Sequence, residues 1–279
     1  MNDDLDTNGQ NALFKVTNVK DLKFLVENRK MNYKARDYHY RTPLHYAKTP
    51  KIAEYFISLG LEVNDAKTDA KDTPLHLVNN VMMAEFFINN GALPDLENIF
   101  GKTALHTAKN EFITEVLLKK GNFNSNALDY NRNSALHYAI NGNQTRSLIA
   151  NGANPNVKNI FDENPLHKAN DENQTRSLLA AEKCNVNDLD NTGSTPLHYA
   201  NNFRQTRVLL ENGANPNIKN DHGHRALDYS KSVSQINVLI YEGKMNLEFK
   251  DKIKFCLKNL MCCFCHFPCC CGGYANQDD

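Results

Sequence analysis

The chain lacks a net charge, because its 32 lysine and arginine residues balance its 32 aspartate and glutamate residues. A general electrostatic attraction to nucleic acid is therefore absent, although a local basic patch is not excluded. On this ground we expect no nucleic-acid partner. The hydrophobic fraction of 41% is ordinary for a folded soluble protein.

Long apolar segments are also lacking. No apolar run reaches the ~20 residues that a membrane-crossing helix needs. The first ten residues, MNDDLDTNGQ, are acidic and polar, whereas a secretory signal starts with basic residues followed by an apolar stretch. We therefore expect no signal peptide and a cytoplasmic location for the body of the chain.

Cysteine is almost missing from most of the sequence. Cys184 is the single cysteine in the first 255 residues, and the other seven lie between Cys256 and Cys271. A disulfide framework would distribute its cysteines through the fold that it stabilises. The clustering instead predicts two parts, a repeat domain over residues 5–249 and a separate C-terminal tail over residues 250–279.

Motifs of the common enzyme classes are absent too. The sequence contains no glycine-rich phosphate loop, no HExxH segment, no GxSxG segment and no nucleophile and base tied to a defined pocket. Its aspartate and glutamate residues are spread through the turns, as solvated loop charges are. We therefore expect no catalytic activity and no cofactor.

What the sequence does contain is a segment that recurs eight times, at intervals of 30 or 31 residues. Six copies are close: TPLHYA at 42–47, TPLHLV at 73–78, TALHTA at 103–108, SALHYA at 134–139, NPLHKA at 164–169 and TPLHYA at 195–200. Two are weaker, NALFKV at 11–16 and RALDYS at 225–230. Such a regular period indicates stacked units, each burying its apolar face against its neighbours.

Each unit has the pattern of two short helices. Thr42 and its equivalents stand where a hydroxyl would cap a helix N-terminus, and Pro43 follows at the first helical position, where a missing N–H costs nothing. A second, apolar helix follows, such as IAEYFISL at 52–59. Glycines then stand where a left-handed residue would end that helix: Gly60, Gly91, Gly121, Gly152, Gly213 and Gly243.

These segments resemble the ankyrin repeat, whose hallmark is the TPLHxA motif. The resemblance covers residues 5–249 and implies an all-α solenoid of stacked helix-turn-helix units with projecting β-hairpin loops. The units are two or three residues shorter than the usual ~33. The missing residues lie between the two helices, so we expect a clipped first helix or a clipped turn after it.

Two details depart from the ankyrin pattern. A glycine usually precedes the motif by two positions, and four units replace it with Tyr40, Lys71, Arg132 and Asp162. We therefore expect altered hairpins in those units. In the first and last units, Phe14 and Asp228 replace the motif histidine. We interpret these units as the caps of a monomeric stack.

Six histidines occupy the same place in successive units: His45, His76, His106, His137, His167 and His198. A zinc ion needs ligands about 2 Å from one centre, whereas packed helices lie ~10 Å apart. We therefore expect no metal site in the repeats. The resemblance implies instead that these histidines join neighbouring turns by hydrogen bonds.

Aromatic side chains are the candidate partner-binding residues. In ankyrin stacks the position after the motif histidine lines the concave groove, and tyrosine is enriched at binding hot spots. Here that position carries Tyr46, Tyr138, Tyr199 and Tyr229. The hairpin tips carry a second set, namely Tyr38, Tyr40, Phe100, Tyr130 and Phe161. Packing between neighbouring helices or neighbouring tips is the alternative explanation for both sets.

The tail begins with FKDKIKFCLKNLM at 249–261, the pattern of a basic amphipathic helix that lies on an anionic membrane or caps the stack. The following cysteines resemble S-acylated cysteine strings. The predicted lipid attachment sites are Cys262, Cys263, Cys265, Cys269, Cys270 and Cys271. A metal cluster formed by Cys262, Cys265, His266 and Cys269 is one alternative, and a tail with neither role is another.

The sequence therefore predicts an adaptor or effector that binds another protein, with its tail tethered to a membrane surface. Its asparagine-rich composition fits an AT-rich genome, such as that of an intracellular bacterium, a protist or a virus. Translocation into a eukaryotic host cell is part of this hypothesis. The alternative is a soluble intracellular binding or inhibitor protein whose tail binds metal or senses redox state.

Overall fold

A computed structural model describes residues 5–181 and 184–243, and this part of the chain consists of helices and turns without a strand. Eight units follow one another, and we number them as repeats 1 to 8. They begin at Asn11, Thr42, Thr73, Thr103, Ser134, Asn164, Thr195 and Arg225. The predicted all-α solenoid is confirmed, with the projecting loops closed by turns.

The first helix of each repeat is a single turn, which confirms the expected clipping between the two helices. Repeat 4 has only a turn at residues 104–107. The other repeats have four-residue helices at Ala12–Lys15, Pro43–Tyr46, Pro74–Leu77, Ala135–Tyr138, Pro165–Lys168, Pro196–Tyr199 and Ala226–Tyr229. Four residues cannot hold themselves in a helix, so caps and neighbouring repeats must stabilise these turns.

The second helices are longer. They span Pro50–Ser58, Val81–Asn89, Glu111–Gly121, Gly142–Ala150, Glu172–Leu179 and Phe203–Glu211 in repeats 2 to 7. In repeats 1 and 8 the α-helices Val19–Lys23 and Val233–Asn237 continue as π-helical turns, Phe24–Asn28 and Val238–Glu242. Asparagine caps several of them; the Asn80 side chain, for example, accepts the Met83 N–H at 2.9 Å.

Four of the six predicted helix-ending glycines have the expected left-handed backbone, with φ from +83° to +94°: Gly60, Gly91, Gly152 and Gly213. The prediction is wrong for the other two. The helix of repeat 4 runs through Gly121, against which the Phe123 ring packs, and Asn122 is the left-handed residue with φ of 51°. Gly243 keeps a right-handed φ of −75°.

One apolar core runs through all the repeats. The leucine of each hexapeptide is buried in this core. The second helices contribute Phe56, Phe87, Leu117, Leu148, Leu178, Leu209 and Leu239, all at most 2% exposed. Full burial of one such side chain stabilises the fold by about 1.5–3 kcal/mol.

The core changes character along the chain. At the third residue of the second helix, repeats 2 to 4 bury Ile52, Met83 and Ile113, whereas repeats 5 to 8 bury glutamine. Each glutamine amide donates to an alanine carbonyl of the preceding repeat at 2.7–3.1 Å. Its oxygen accepts a backbone N–H four residues earlier, at 2.8–3.0 Å. These four residues are Gln144, Gln174, Gln205 and Gln235.

Candidate partner-binding surface

The six motif histidines join consecutive repeats. Nδ1 of each ring accepts the N–H of the capping residue of its own repeat at 3.0–3.2 Å. Nε2 then donates to the carbonyl of the residue before the next cap, at 2.8–3.3 Å; these carbonyls belong to Asp72, Lys102, Asn133, Glu163, Ser194 and His224. The bridging role implied by the resemblance is confirmed.

The same geometry explains the protonation state of the histidines. Burial lowers the pKa of all six, and the neighbouring carboxylates and carbonyls only partly offset this effect. A second proton would also have to sit on Nδ1, which already faces a donor N–H. Within residues 5–181 and 184–243, no group of histidine, cysteine or acidic residues could hold a metal ion.

The projecting loops end in tips, which we define as the five residues before each cap, for example 37–41. The first tip residue folds the loop onto itself. Asp37, for instance, accepts the N–H groups of His39 and Arg41, both at 2.9 Å. Equivalent bonds form around Asp6, Asn98, Asp129, Asn159, Asp190 and Asn220.

Consecutive tips are bonded to one another. The second tip residue donates its N–H to the carbonyl of the third residue of the preceding tip, as Tyr130 does to Phe100 at 3.0 Å and Ile160 to Asn131 at 3.0 Å. The series runs without interruption from Tyr38–Asn8 to Asp221–Thr192, at 2.9–3.1 Å. The tips therefore form one continuous row rather than independent loops.

The expected change of shape in the tips without glycine is wrong. Tyr40, Lys71, Arg132 and Asp162 have φ from 54° to 60°, close to the 70–74° of the glycines that occupy the same position in other tips. The bonds around the first tip residue and between tips hold the backbone in this conformation. A non-glycine residue in the left-handed region costs roughly 1–2 kcal/mol, so these contacts outweigh that strain.

The five predicted tip aromatics lie at the surface. Tyr38, Tyr40, Phe100, Tyr130 and Phe161 are between 51% and 67% exposed. Two of them also pack on the preceding tip, since the rings of Tyr38 and Tyr130 lie over Gly9 and Gly101 and occupy the space of a Cβ there. Packing between tips thus accounts for part of each of these two rings and leaves the rest open.

The first-helix tyrosines are held in place by the tips. The hydroxyls of Tyr46, Tyr138 and Tyr199 donate to Asp37, Asp129 and Asp190, each at 2.6 Å. Asn220 donates to the hydroxyl of Tyr229 at 3.0 Å. Each ring also meets an aromatic ring of the preceding repeat edge-on, with centroids 5.7–6.1 Å apart.

In the Tyr199–Asp190 pair the pKa values of both groups are shifted. Burial raises the pKa of Tyr199 to about 12, and the hydrogen bond to Asp190 acts in the same direction. Burial acts to raise the pKa of Asp190, but the hydrogen bonds from Tyr199, Thr192 and Ser194 outweigh it and lower the value. The pair is therefore a charge-assisted hydrogen bond between a neutral phenol and a carboxylate. Tyr199 and Tyr229 remain about two-fifths exposed.

Sequence reasoning missed two components of this surface. Ile99 and Ile160 lie in the tip row beside Phe100 and Phe161 and are 43% and 50% exposed. The pattern could have shown them, because both follow the first tip residue. It also missed Lys102, whose ammonium lies 4.0 Å from the centre of the Tyr138 ring.

Cys184 is the one cysteine among the described residues. Cys184 is half-buried against the core, and burial raises the pKa of its thiol to about 11. The six tail cysteines and His266 lie outside the described residues, so acylation and metal binding both stay predictions. Over the described residues, none of the helices has the length and apolar character needed to span a membrane.

The geometry defines a repeat protein of stacked two-helix units with a bonded row of tips. The sequence profile described as "Ankyrin repeats (3 copies)" matches residues 75–159 and 141–220, together more than half of the chain. The chain therefore belongs to the ankyrin-repeat family.

Solved structures agree with this assignment. One match is the crystal structure of the ankyrin repeat domain of Bcl-3, described as a unique member of the IkappaB protein family. It is 27% identical, with a TM-score of 0.54, and the match covers 72% of this chain and 98% of that one. A search of curated protein sequences found no match. Ankyrin stacks are typically non-catalytic binding scaffolds, and the family and this neighbour support a role in protein–protein interaction.

Proposed function

We propose that this chain binds a partner protein through the tip row and the adjoining first-helix tyrosines. The observation that carries the proposal is the exposure of the tip aromatics. Five rings and two isoleucines stand in the four tips before the caps Thr42, Thr103, Ser134 and Asn164, where the fold could use polar residues as it does at Asn8 and Thr192. Exposed apolar groups at loop ends are typical of binding surfaces.

The tyrosines support the proposal through their fixed positions. Each ring lies against the preceding repeat, and its hydroxyl is bonded to a tip residue. Such a ring loses little conformational freedom when a partner covers it, so its contact area is converted into affinity at a small entropic cost. Part of the Tyr199 and Tyr229 rings stays open for that contact.

The proposal is tested by comparing two variants of the tagged full-length chain in its native cells. The first replaces Phe100, Tyr130 and Phe161 by serine. The second, the matched control, replaces three similarly exposed second-helix residues, Phe24, Met82 and Phe112, by serine. Proteins retained by each chain are compared by quantitative mass spectrometry with those retained by the unaltered chain.

We expect the tip variant to lose a partner that the control variant keeps, because apolar contact at the centre of an interface supplies most of its binding energy. Equal melting temperatures of the purified variants would establish that both are folded. A partner retained by the tip variant and lost by the control variant would contradict the proposal.

We further propose that the tail is an S-acylated anchor, which would place the bound partner at a membrane. The support is the sequence itself, in which six cysteines follow four lysines within the segment 249–271. Each buried methylene contributes about 0.8 kcal/mol, so two or more acyl chains hold firmly where one does not. Metal or redox chemistry of the same cysteines is the competing function.

A further inference from the structure

Three positions of each repeat border the first-helix face: the residue before the cap, the residue after the motif histidine, and the sixth residue after the cap. Cations occupy seven of these places, namely Lys15, Arg41, Lys48, Lys102, Lys109, Lys168 and Lys231. Carboxylates occupy only two, Asp72 and Glu163, and both are buried. Although the chain has no net charge, these positions therefore carry more cations than carboxylates.

The basic character is concentrated in repeats 2 to 4. A groove of about 280 Å³ lies there, and its lining includes Arg41, Lys48 and Lys109. Leu77 and Tyr46 contribute apolar surface inside the same groove. The groove therefore combines three positively charged side chains with apolar lining residues.

Across the described ranges, no ion pair involves Arg41, Lys48, Lys102 or Lys109. The Arg41 side chain donates to the Tyr46 hydroxyl at 3.2 Å, but its Nε is buried without a hydrogen-bond partner. Asp37 and Asp72 also act electrostatically on Arg41, so the groove charges that are open to a ligand are those of the exposed Lys48 and Lys109.

Repeat 6 provides an internal contrast. There Lys168 lies on the same face, and the carboxylate of Glu163 neutralises it at 2.7 Å. At the positions of Glu163, repeats 2 and 4 have Arg41 and Lys102 instead. In repeat 3 this position carries the buried Asp72, which acts electrostatically on Arg41. Among the described residues that line the groove beside the exposed Lys48 and Lys109, none is a carboxylate.

We infer that this groove binds an extended acidic segment of a partner protein that carries at least one apolar side chain. The inference rests on the proposed function and specifies the chemistry of its partner. Helices stack ~10 Å apart, so repeats 2 to 4 present roughly 20–30 Å of surface. An extended strand rises about 3.3 Å per residue, so the segment has about six to nine residues. The apolar lining residues favour a peptide over a nucleic-acid backbone.

The test is a selection of random 16-residue peptides displayed against the immobilised full-length chain. We expect the enriched peptides to be acidic and to contain leucine, isoleucine or phenylalanine. Their dissociation constants, measured by fluorescence anisotropy, should rise at least tenfold for the Lys48→Glu/Lys109→Glu variant. They should also rise several-fold between 50 mM and 300 mM salt, because salt screens exposed charges.

The matched control is Lys34→Glu/Lys67→Glu, which makes the same change of net charge at exposed lysines outside this groove. It should alter binding less than twofold. Enrichment of neutral or basic peptides, or equal effects of the two variants, would overturn the inference. A nucleic-acid ligand would also overturn the inference. That outcome requires that no acidic peptide is enriched, that a labelled oligothymidylate of 16 nucleotides binds the chain, and that Lys48→Glu/Lys109→Glu abolishes this binding.

Failure of this inference is distinguishable from failure of the proposed function. If the tip variant loses its partner and the Lys48→Glu/Lys109→Glu change does not weaken peptide binding, only the inference of an acidic segment is wrong. If the tip variant keeps its partner, the binding surface itself is wrong.

Discussion

Asn126 clasps the following repeat with both ends of its side-chain amide. Its Nδ2 donates to the Gly152 carbonyl at 2.8 Å, and its Oδ1 accepts the Asn154 N–H at 2.7 Å. Asn64 and Asn187 form the same pair of bonds, to Gly91 and Leu93 and to Gly213 and Asn215. These clasps join repeats 2 and 3, 4 and 5, and 6 and 7.

The clasp gives a first prediction. Asn126→Ala removes two hydrogen bonds between repeats, so we expect the free energy of unfolding to fall by about 1–2 kcal/mol. Urea denaturation followed by circular dichroism measures it. The control is Asn89→Ala at an exposed position of a second helix, which should leave stability unchanged or slightly higher. Equal midpoints for Asn126→Ala and the unaltered chain would show that the clasp contributes nothing.

The buried glutamines give a second prediction. Gln205 bonds the Ala169 carbonyl at 2.8 Å, the Thr175 hydroxyl at 3.2 Å and the Asn201 N–H at 2.8 Å. Gln205→Ala leaves these buried groups unsatisfied, so we expect a loss of about 3 kcal/mol. Thermal denaturation compares it with Arg204→Ala, an exposed neighbour whose removal should cost less than about 0.5 kcal/mol. Similar losses for the two variants would contradict the bridging role.

The histidine bridges predict a pH dependence. Their pKa values are lowered in the folded chain, because burial disfavours the charged ring. The unfolded chain therefore binds protons first, near pH 6.5. Stability is complete above that value and falls as the pH decreases below it. The denaturation midpoint should drop between pH 7 and pH 5.

NMR provides the direct check of this pH effect. The ring resonances of the six bridging histidines should not titrate near pH 6.5 in the folded chain. Asp37 and Asp190 also have lowered pKa values in the folded chain. Their protonation should therefore reduce stability only below about pH 4, which separates it from the histidine effect. Six ring resonances that titrate with midpoints near 6.5 would refute the bridging geometry.

The tyrosine–aspartate pairs predict an alkaline effect. Because the pKa of Tyr199 is raised to about 12 in the folded chain, stability should decline as the pH rises above the unfolded value of about 10. Tyr199→Phe should cost about 1–2 kcal/mol at neutral pH and reduce this alkaline loss. Ultraviolet titration of tyrosinate compares the two chains. If the titration curves differed only by one tyrosine with an ordinary pKa, the hydrogen bond between Tyr199 and Asp190 would be excluded.

The tail gives a last prediction. In eukaryotic cells, acyl-biotin exchange should label the full-length chain, and replacement of the six cysteines at 262–271 by serine should abolish the label. Membrane association should be lost with it, because the remaining basic segment binds only weakly. Absence of a thioester label rejects the anchor. Absence of metal in protein purified under reducing conditions rejects the cluster.

Much of the fold follows from the local chemistry of the hexapeptide. The threonine or serine cap, the proline after it and the histidine are close in sequence, so their pattern alone predicts the one-turn helix. The histidine bridge to the next repeat could also be expected, since the resemblance to the ankyrin repeat implies it. The glutamine bridges could not, because Ile52, Met83 and Ile113 occupy that position elsewhere and break the pattern.

The tips were harder to predict for a physical reason. The sequence suggests that Tyr40, Lys71, Arg132 and Asp162 alter the loop, because left-handed backbone favours glycine. The bonds between tips hold these residues in that conformation nonetheless, and such bonds link residues about 30 positions apart. The charged groove could not be predicted from the sequence for a similar reason. Arg41, Lys48 and Lys109 line one groove only after the repeats stack.

The most direct test of the proposed binding surface is amide hydrogen exchange of the full-length chain, measured with and without its partner. The partner is the protein that the unaltered chain retains and the tip variant loses. We predict slower exchange on binding in residues 37–48, 98–109 and 129–138, which contain the tips and first helices. The second helices at 81–89 and 142–150 should exchange at unchanged rates. Protection confined to the second helices, with the tips unaffected, would contradict the account.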